Sequence, residues 1–148
     1  MVQSGLVGNT DVSHYRLSVH LTIAFIILAS LLWNYFEYFK KSNFEKKGKL
    51  PNLLTLTFGL LVLLQISIGA LVSGLDAGQI YQTWPLMNEN YFPDDSSFED
   101  LFKRKVFETT SLIQFIHRNM AYFILLFFLT LAILVFKNNN LVYLRKTI

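Results

Sequence analysis

Three stretches of this 148-residue chain, 17–36, 53–72 and 112–136, are predominantly apolar. Each reaches the ~20 residues that a helix rising ~1.5 Å per residue needs to cross ~30 Å of hydrocarbon. Lipid offers no hydrogen bonds to a bare backbone, so a stretch that crosses it must satisfy its own amides as a helix. Hydrophobic residues make up 53% of the chain and charged ones 16%, and the mean hydropathy of +0.40 is too apolar for an ordinary soluble domain of this length. The expected fold class is therefore all-α, a polytopic membrane helix bundle. It is one membrane domain over 1–148, with transmembrane helices at 15–39, 52–73 and 111–136 and an outer loop at 74–110. The first stretch does not read as a signal peptide, because residues 1–14 hold no Lys or Arg.

Charge supplies an orientation. Lys40, Lys41, Lys46, Lys47 and Lys49 crowd the first loop, and Lys137, Arg145 and Lys146 follow the third stretch. The loop between the second and third stretches carries seven acids (Asp76, Glu89, Asp94, Asp95, Glu99, Asp100, Glu108) against Lys103, Arg104 and Lys105. Basic loops stay cytoplasmic. The N-terminus and the 74–110 loop are thus expected outside, and the 40–52 loop and C-terminus inside. The net charge of +3 records topology rather than a nucleic-acid site. With no cysteine, this chain has no disulfide, thiolate-ligated haem, iron–sulfur cluster or c-type haem attachment.

Local signals refine the elements. Ser13 is placed to cap the first helix, Trp33, Tyr35, Phe36, Tyr38 and Phe39 form an aromatic belt near its end, and Pro51 opens the second. Gly69, Ala70, Ser73 and Gly74 permit close helix approach. Tyr81, Trp84, Tyr91 and Phe92 argue against disorder in the long loop, which is expected to fold back over the outer mouth of the bundle. Ser96 and Glu99 form an S-x-x-E capping box, predicting a helix that starts there and bends into the third span.

Two histidines, His20 and His117, lie inside the first and third stretches. Ionisable groups in membrane segments are costly and usually functional. Neutral imidazole is a common iron ligand, and haem is the usual iron centre between membrane helices. Counting from the start of each stretch at ~1.5 Å per residue, both imidazoles lie ~5–8 Å below the outer edge of the hydrocarbon. Two imidazoles at one depth on parallel helices can grip one haem. The alternative is a buried histidine bonded to a backbone carbonyl. Arg16, four residues before His20, and Arg118, directly after His117, can pair with haem propionates or simply snorkel to the interface. His14 reads as interfacial, and Asp76 in the GLDAG run as a turn residue at the mouth of the second span. No phosphate-binding glycine loop and no nucleophile elbow is present.

The runs Met1-Val2-Gln3-Ser4-Gly5-Leu6, Tyr15-Arg16-Leu17 with His20-Leu21, 69–78 (GALVSGLDAG) with Tyr81 and Thr83-Trp84-Pro85, and Gln114-Phe115-Ile116-His117-Arg118 resemble haem A synthase in order and spacing. The likeness covers nearly the whole chain, and GLDAG with QF-x-HR is its specific part. It implies an eight-helix bundle of two related four-helix halves, each placing a pair of histidines around a haem. This chain would cover helices four to six, an internal fragment lacking helices one to three, seven and eight, and inactive alone. The resemblance replaces the single haem by two. It implies that His20 ligates the iron of the substrate haem in the first half, and His117 the iron of haem b in the second. The partner histidines and the family's catalytic glutamate would lie outside this sequence.

The implied activity is oxidation of the C8 methyl of haem O to the formyl group of haem A, for cytochrome oxidase. The implied cofactor is haem b, with haem O as substrate and haem A as product. Implied partners are the lipid bilayer, an electron donor the residues do not identify, and haem O synthase or cytochrome oxidase assembly factors; a homo-oligomer stays open. The implied location is the bacterial inner membrane, with the mitochondrial inner membrane as the alternative. Two competing readings are a b-type cytochrome that only transfers electrons and a non-catalytic membrane assembly protein.

Overall fold

A computed structural model describes residues 13–39, 51–139 and 141. Three α-helices dominate: α1 (His14–Tyr38), α2 (Asn52–Gly74) and α3 (Thr110–Lys137). Each is long and apolar enough to cross a membrane. No strand occurs among the described residues, so the all-α class holds. The Lys40–Lys49 cluster, the N-terminal MVQSGL run, Arg145 and Lys146 lie outside the described residues.

The chain divides into two compact units. The first combines Met1–Ile23 with Ile66–His117, and the second Ala24–Gln65 with Arg118–Ile148. In the second, Phe58 of α2 stacks on Phe127 of α3, with ring centroids 6.2 Å apart. Val135 and Leu131 are buried beside them in sequence on α3. Residues 24–38 of α1 are exposed throughout. Apolar exposure of that kind suits a surface bathed in lipid or covered by further helices, since water is not the solvent there.

The first unit is held by a polar seam between α1 and α2. Ser18 Oγ donates to the Ser67 carbonyl at 2.8 Å, and Thr22 Oγ1 lies 2.8 Å from Ser67 Oγ. Thr22 also donates to the Ser18 carbonyl at 2.7 Å, a bond back along its own helix. The seam needs close backbones, and small residues provide them. A methyl group on Gly74 would stand 2.8 Å from Cβ and 2.9 Å from Cα of His14. Only glycine fits there without parting the helices. Residues 14 and 18 of α1 meet 74 and 67 of α2, so the two helices run antiparallel in this unit.

The segment between α2 and α3 departs from expectation. The capping pair is Ser97 with Asp100, one residue later than Ser96 with Glu99. The Ser97 backbone N–H (2.9 Å) and hydroxyl (2.7 Å) both donate to Asp100 Oδ2. Both registers contain serine and an acid three apart, but Ser96 is engaged elsewhere. It donates to Asp95 Oδ1 at 2.9 Å and lies 3.2 Å from the hydroxyl of the buried Ser111. The helix expected to run on into α3 is instead two short 3-10 turns, Phe98–Phe102 and Arg104–Phe107, split by extended backbone at Lys103. Val106 is buried and Leu101 half-buried. They are five residues apart, ~140° around an α-helix, so one straight helix would not bury both.

Candidate functional site

The first unit gathers the residues singled out by sequence: His14, Arg16 and His20 on α1, Asp76 after α2, and His117 on α3. Ser18 and Thr22 define the α1 face that meets α2. At 100° per residue His20 lies ~200° away from Ser18 and from Thr22, on the opposite face. Arg16, one turn earlier, shares that face within ~40°. Both side chains are exposed. An imidazole and a guanidinium thus project together from a spanning helix, turned away from α2.

His117 is half-buried on α3 and rests against α2. A methyl group at Gly69 would stand 3.1 Å from its Cε1, 3.7 Å from Nδ1 and 3.9 Å from Nε2. The glycine therefore makes room for one ring, and α2 becomes the wall against which this imidazole is oriented. Arg118 follows it and is half-buried. The small-residue cluster thus has two uses, helix approach at Gly74 and ring accommodation at Gly69. The second was missed by sequence reading, and only the spatial neighbour reveals it.

His14 is half-buried beside Gly74, with its ring 4.1 Å from that of Tyr15. Its Nε2 is buried and has no hydrogen-bond partner among the described residues. Asp76 is a turn residue by its backbone, with φ 50° in the left-handed region and its carbonyl accepting from Gln79 N–H at 3.1 Å. Aspartate tolerates that conformation better than most residues. The GLDAG run therefore turns the chain out of α2.

The loop packs on the first turns of α3. Gln114, only 5% exposed, donates from Nε2 to the Tyr81 carbonyl at 2.9 Å. Tyr81, 4% exposed, donates its hydroxyl to Asp94 Oδ1 at 3.0 Å. Asn88 Nδ2 reaches the other oxygen of Asp94 at 3.5 Å. Thr83 Oγ1 accepts from Asn88 N–H at 2.8 Å and donates to the Leu86 carbonyl at 3.0 Å, closing the turn. Phe92 stacks on Phe98 at 4.3 Å and meets Phe115 of α3 edge-on at 5.0 Å. Met87 and Pro93 are buried. Of the loop aromatics, Tyr81 and Phe92 are thus held by packing, whereas Trp84 is exposed.

Charges in this loop follow their partners. Burial, then the bond to Asp94 and the charge of Asp95, push the Tyr81 phenol above its ordinary value. A backbone N–H of its own residue and the Tyr81 hydroxyl hold Asp94 below the usual carboxylate range. Lys103, 2.7 Å away, and the Ser97 donors hold Asp100 far lower. Among the described residues no group of three or more His, Asp or Glu side chains is arranged to hold a bare metal ion.

A family model described as cytochrome oxidase assembly protein, COX15-CtaA, matches residues 1–148. A protein of Pelagibacter ubique named heme A synthase is 47% identical over 137 residues, covering 93% of this chain and 40% of the relative. Like-named proteins of Rhizobium leguminosarum (43%, covering 88% of this chain and 35% of the relative) and of Wolbachia from Culex pipiens (39%, 95% and 42%) are similar. The chain spans about two-fifths of the length of these relatives. No solved structure matches it.

Proposed function

The chain belongs to the COX15-CtaA family of cytochrome oxidase assembly proteins, and from that premise we propose that it serves haem A synthesis, the oxidation of the C8 methyl of haem O to a formyl group. The observation that carries this reading is the similarity of most of the chain to proteins named heme A synthase. The geometry fits a porphyrin. His117 is oriented by a glycine wall, and His20 with Arg16 faces away from the α1–α2 seam. Imidazole nitrogens are competent iron ligands, and guanidinium groups pair with the carboxylates that a porphyrin carries.

His20 would bind the iron of the substrate haem, and His117 the iron of a resident haem b. Arg16 and Arg118 would each anchor propionates. Iron supplies the redox chemistry when bound. The chain's own share is to fix the angle of each imidazole, to hold carboxylates near the interface and to keep water from the ring of His117. Gly69 does the first for His117 by admitting its ring against α2. The loop does the last where Gln114, on the same side of α3 as His117, holds it at the Tyr81 carbonyl. The helices lie in a bacterial inner membrane, with the 74–110 loop outside and the 40–52 loop and C-terminus cytoplasmic. Haem O synthase or a cytochrome oxidase assembly factor would be its protein partner.

The test incubates the complete protein with haem O and an electron source and separates the extracted haems by chromatography. Formyl-bearing haem is the expected product. Unmodified haem O, under conditions where a known synthase converts it, rejects the reading in favour of electron transfer alone.

A further inference from the structure

We propose that Gln114 is a positioning residue for His117, acting by clasping the 75–97 segment onto α3 one turn ahead of that histidine. The inference rests on the haem reading above and names a regulator of the His117 site that neither the histidines nor the arginines supply.

Gln114 and His117 are three residues apart and therefore neighbours on one side of α3. The carboxamide of Gln114 is buried, and its Nε2 donates across to a backbone carbonyl of the loop, Tyr81, at 2.9 Å. Because that partner is a carbonyl, the contacting atom must be the N–H₂ group. Tyr81 extends the clasp to Asp94 through its hydroxyl, and Asp94 extends it to Asn88. A second tie lies one turn earlier. Ser96 gives its single proton to Asp95, so the fully buried Ser111 is the donor in their 3.2 Å contact.

Both ties fall on the first two turns of α3, and Phe115 between them and His117 is covered by Tyr91 and Phe92. The Tyr81 tie therefore seats the loop on the His117 side of α3, one turn before the imidazole, while the aromatic contacts of Phe115 brace the opposite face. Glutamine is suited to this. It carries a donor for a backbone carbonyl without a charge that burial would penalise. A methionine of similar length would fill the space but could not donate to the Tyr81 carbonyl.

The test uses the complete protein in detergent or nanodiscs with Gln114→Met, Asp94→Asn and, as a control outside the clasp, the exposed Glu99→Gln. Two readouts are taken: amide hydrogen exchange over 81–97, and the rate at which cyanide reaches each ferric haem. Gln114→Met is expected to speed both, with cyanide access to the His117 haem rising about tenfold and the other haem unaffected. Asp94→Asn should give a smaller change in the same direction, and Glu99→Gln none. Faster exchange with unchanged cyanide access would overturn the inference, leaving a purely structural tie, and so would no change in either. If the parent protein holds no haem, the functional reading fails first, and the exchange data alone then describe the loop.

Discussion

Replacing Gly69 by alanine tests how tightly the structure dictates the pose of His117. The added methyl would stand 3.1 Å from Cε1 of the imidazole, with Nδ1 and Nε2 at 3.7 and 3.9 Å. Carbon atoms prefer ~3.5–4.0 Å, so the ring edge must retreat by roughly 0.4–0.9 Å or turn about its own axis. Overpacking of this kind costs ~1–3 kcal/mol, while alanine is favoured over glycine within a helix by ~1 kcal/mol, leaving a net loss of about 0–2 kcal/mol. The protein should therefore still fold. What changes is the angle of one imidazole. The complete protein would be compared with Gly69→Ala and Gly69→Val by thermal melting and by low-temperature electron paramagnetic resonance of its ferric haems. A small change in melting temperature with shifted g-values for one haem is expected, larger for valine. Identical resonance spectra for all three proteins would refute the claim that this glycine sets the ring.

Gly74→Ala should be more damaging than Gly69→Ala, because its methyl meets Cα and Cβ of His14 at 2.9 and 2.8 Å rather than a movable ring; melting temperatures rank the two, and equal values would contradict it. A double-mutant cycle of Ser18→Ala with Ser67→Ala should show little coupling, because Ser18 bonds the Ser67 carbonyl and not its side chain, whereas Thr22→Val with Ser67→Ala should couple by roughly 0.5–1.5 kcal/mol, within the range for polar pairs between membrane helices. The lowered carboxyl of Asp94 contributes stability above the ordinary aspartate value of ~3.9 and loses it as pH falls through its folded value. The raised phenol of Tyr81 contributes below ~10 and loses it as pH rises through its folded value. Tryptophan emission between pH 7 and 3 should therefore report a loop transition at the acid end that Asp94→Asn removes, and an acid limb identical in the two proteins would speak against the clasp.

Sequence carried the coarse architecture because the bilayer imposes it. Runs of about twenty apolar residues have one stable form in lipid, and α1, α2 and α3 follow those runs closely. The small-residue end of α2 also read correctly as a packing feature, since Gly74 leaves room for nothing but a hydrogen. Finer features were hidden for identifiable reasons. Ser96 and Ser97 each stand three residues before an acid, and only the buried Ser111 decides which serine is free to cap. The long helix expected before α3 failed because Leu101 and Val106 share no helical face. Gly69 and Gln114 act through residues far away in the chain, 48 and 33 positions off in His117 and Tyr81. Gln114, three residues before His117, was the legible hint: a polar side chain on the histidine's side of an apolar helix needs a partner.

The most direct measurement is a reduced-minus-oxidised spectrum of the complete protein beside His20→Ala and His117→Ala. Each substitution is expected to disturb its own haem and spare the other. Loss of one and the same haem in both variants, or a parent protein without haem bands, would contradict the assignment of the two imidazoles to separate porphyrins.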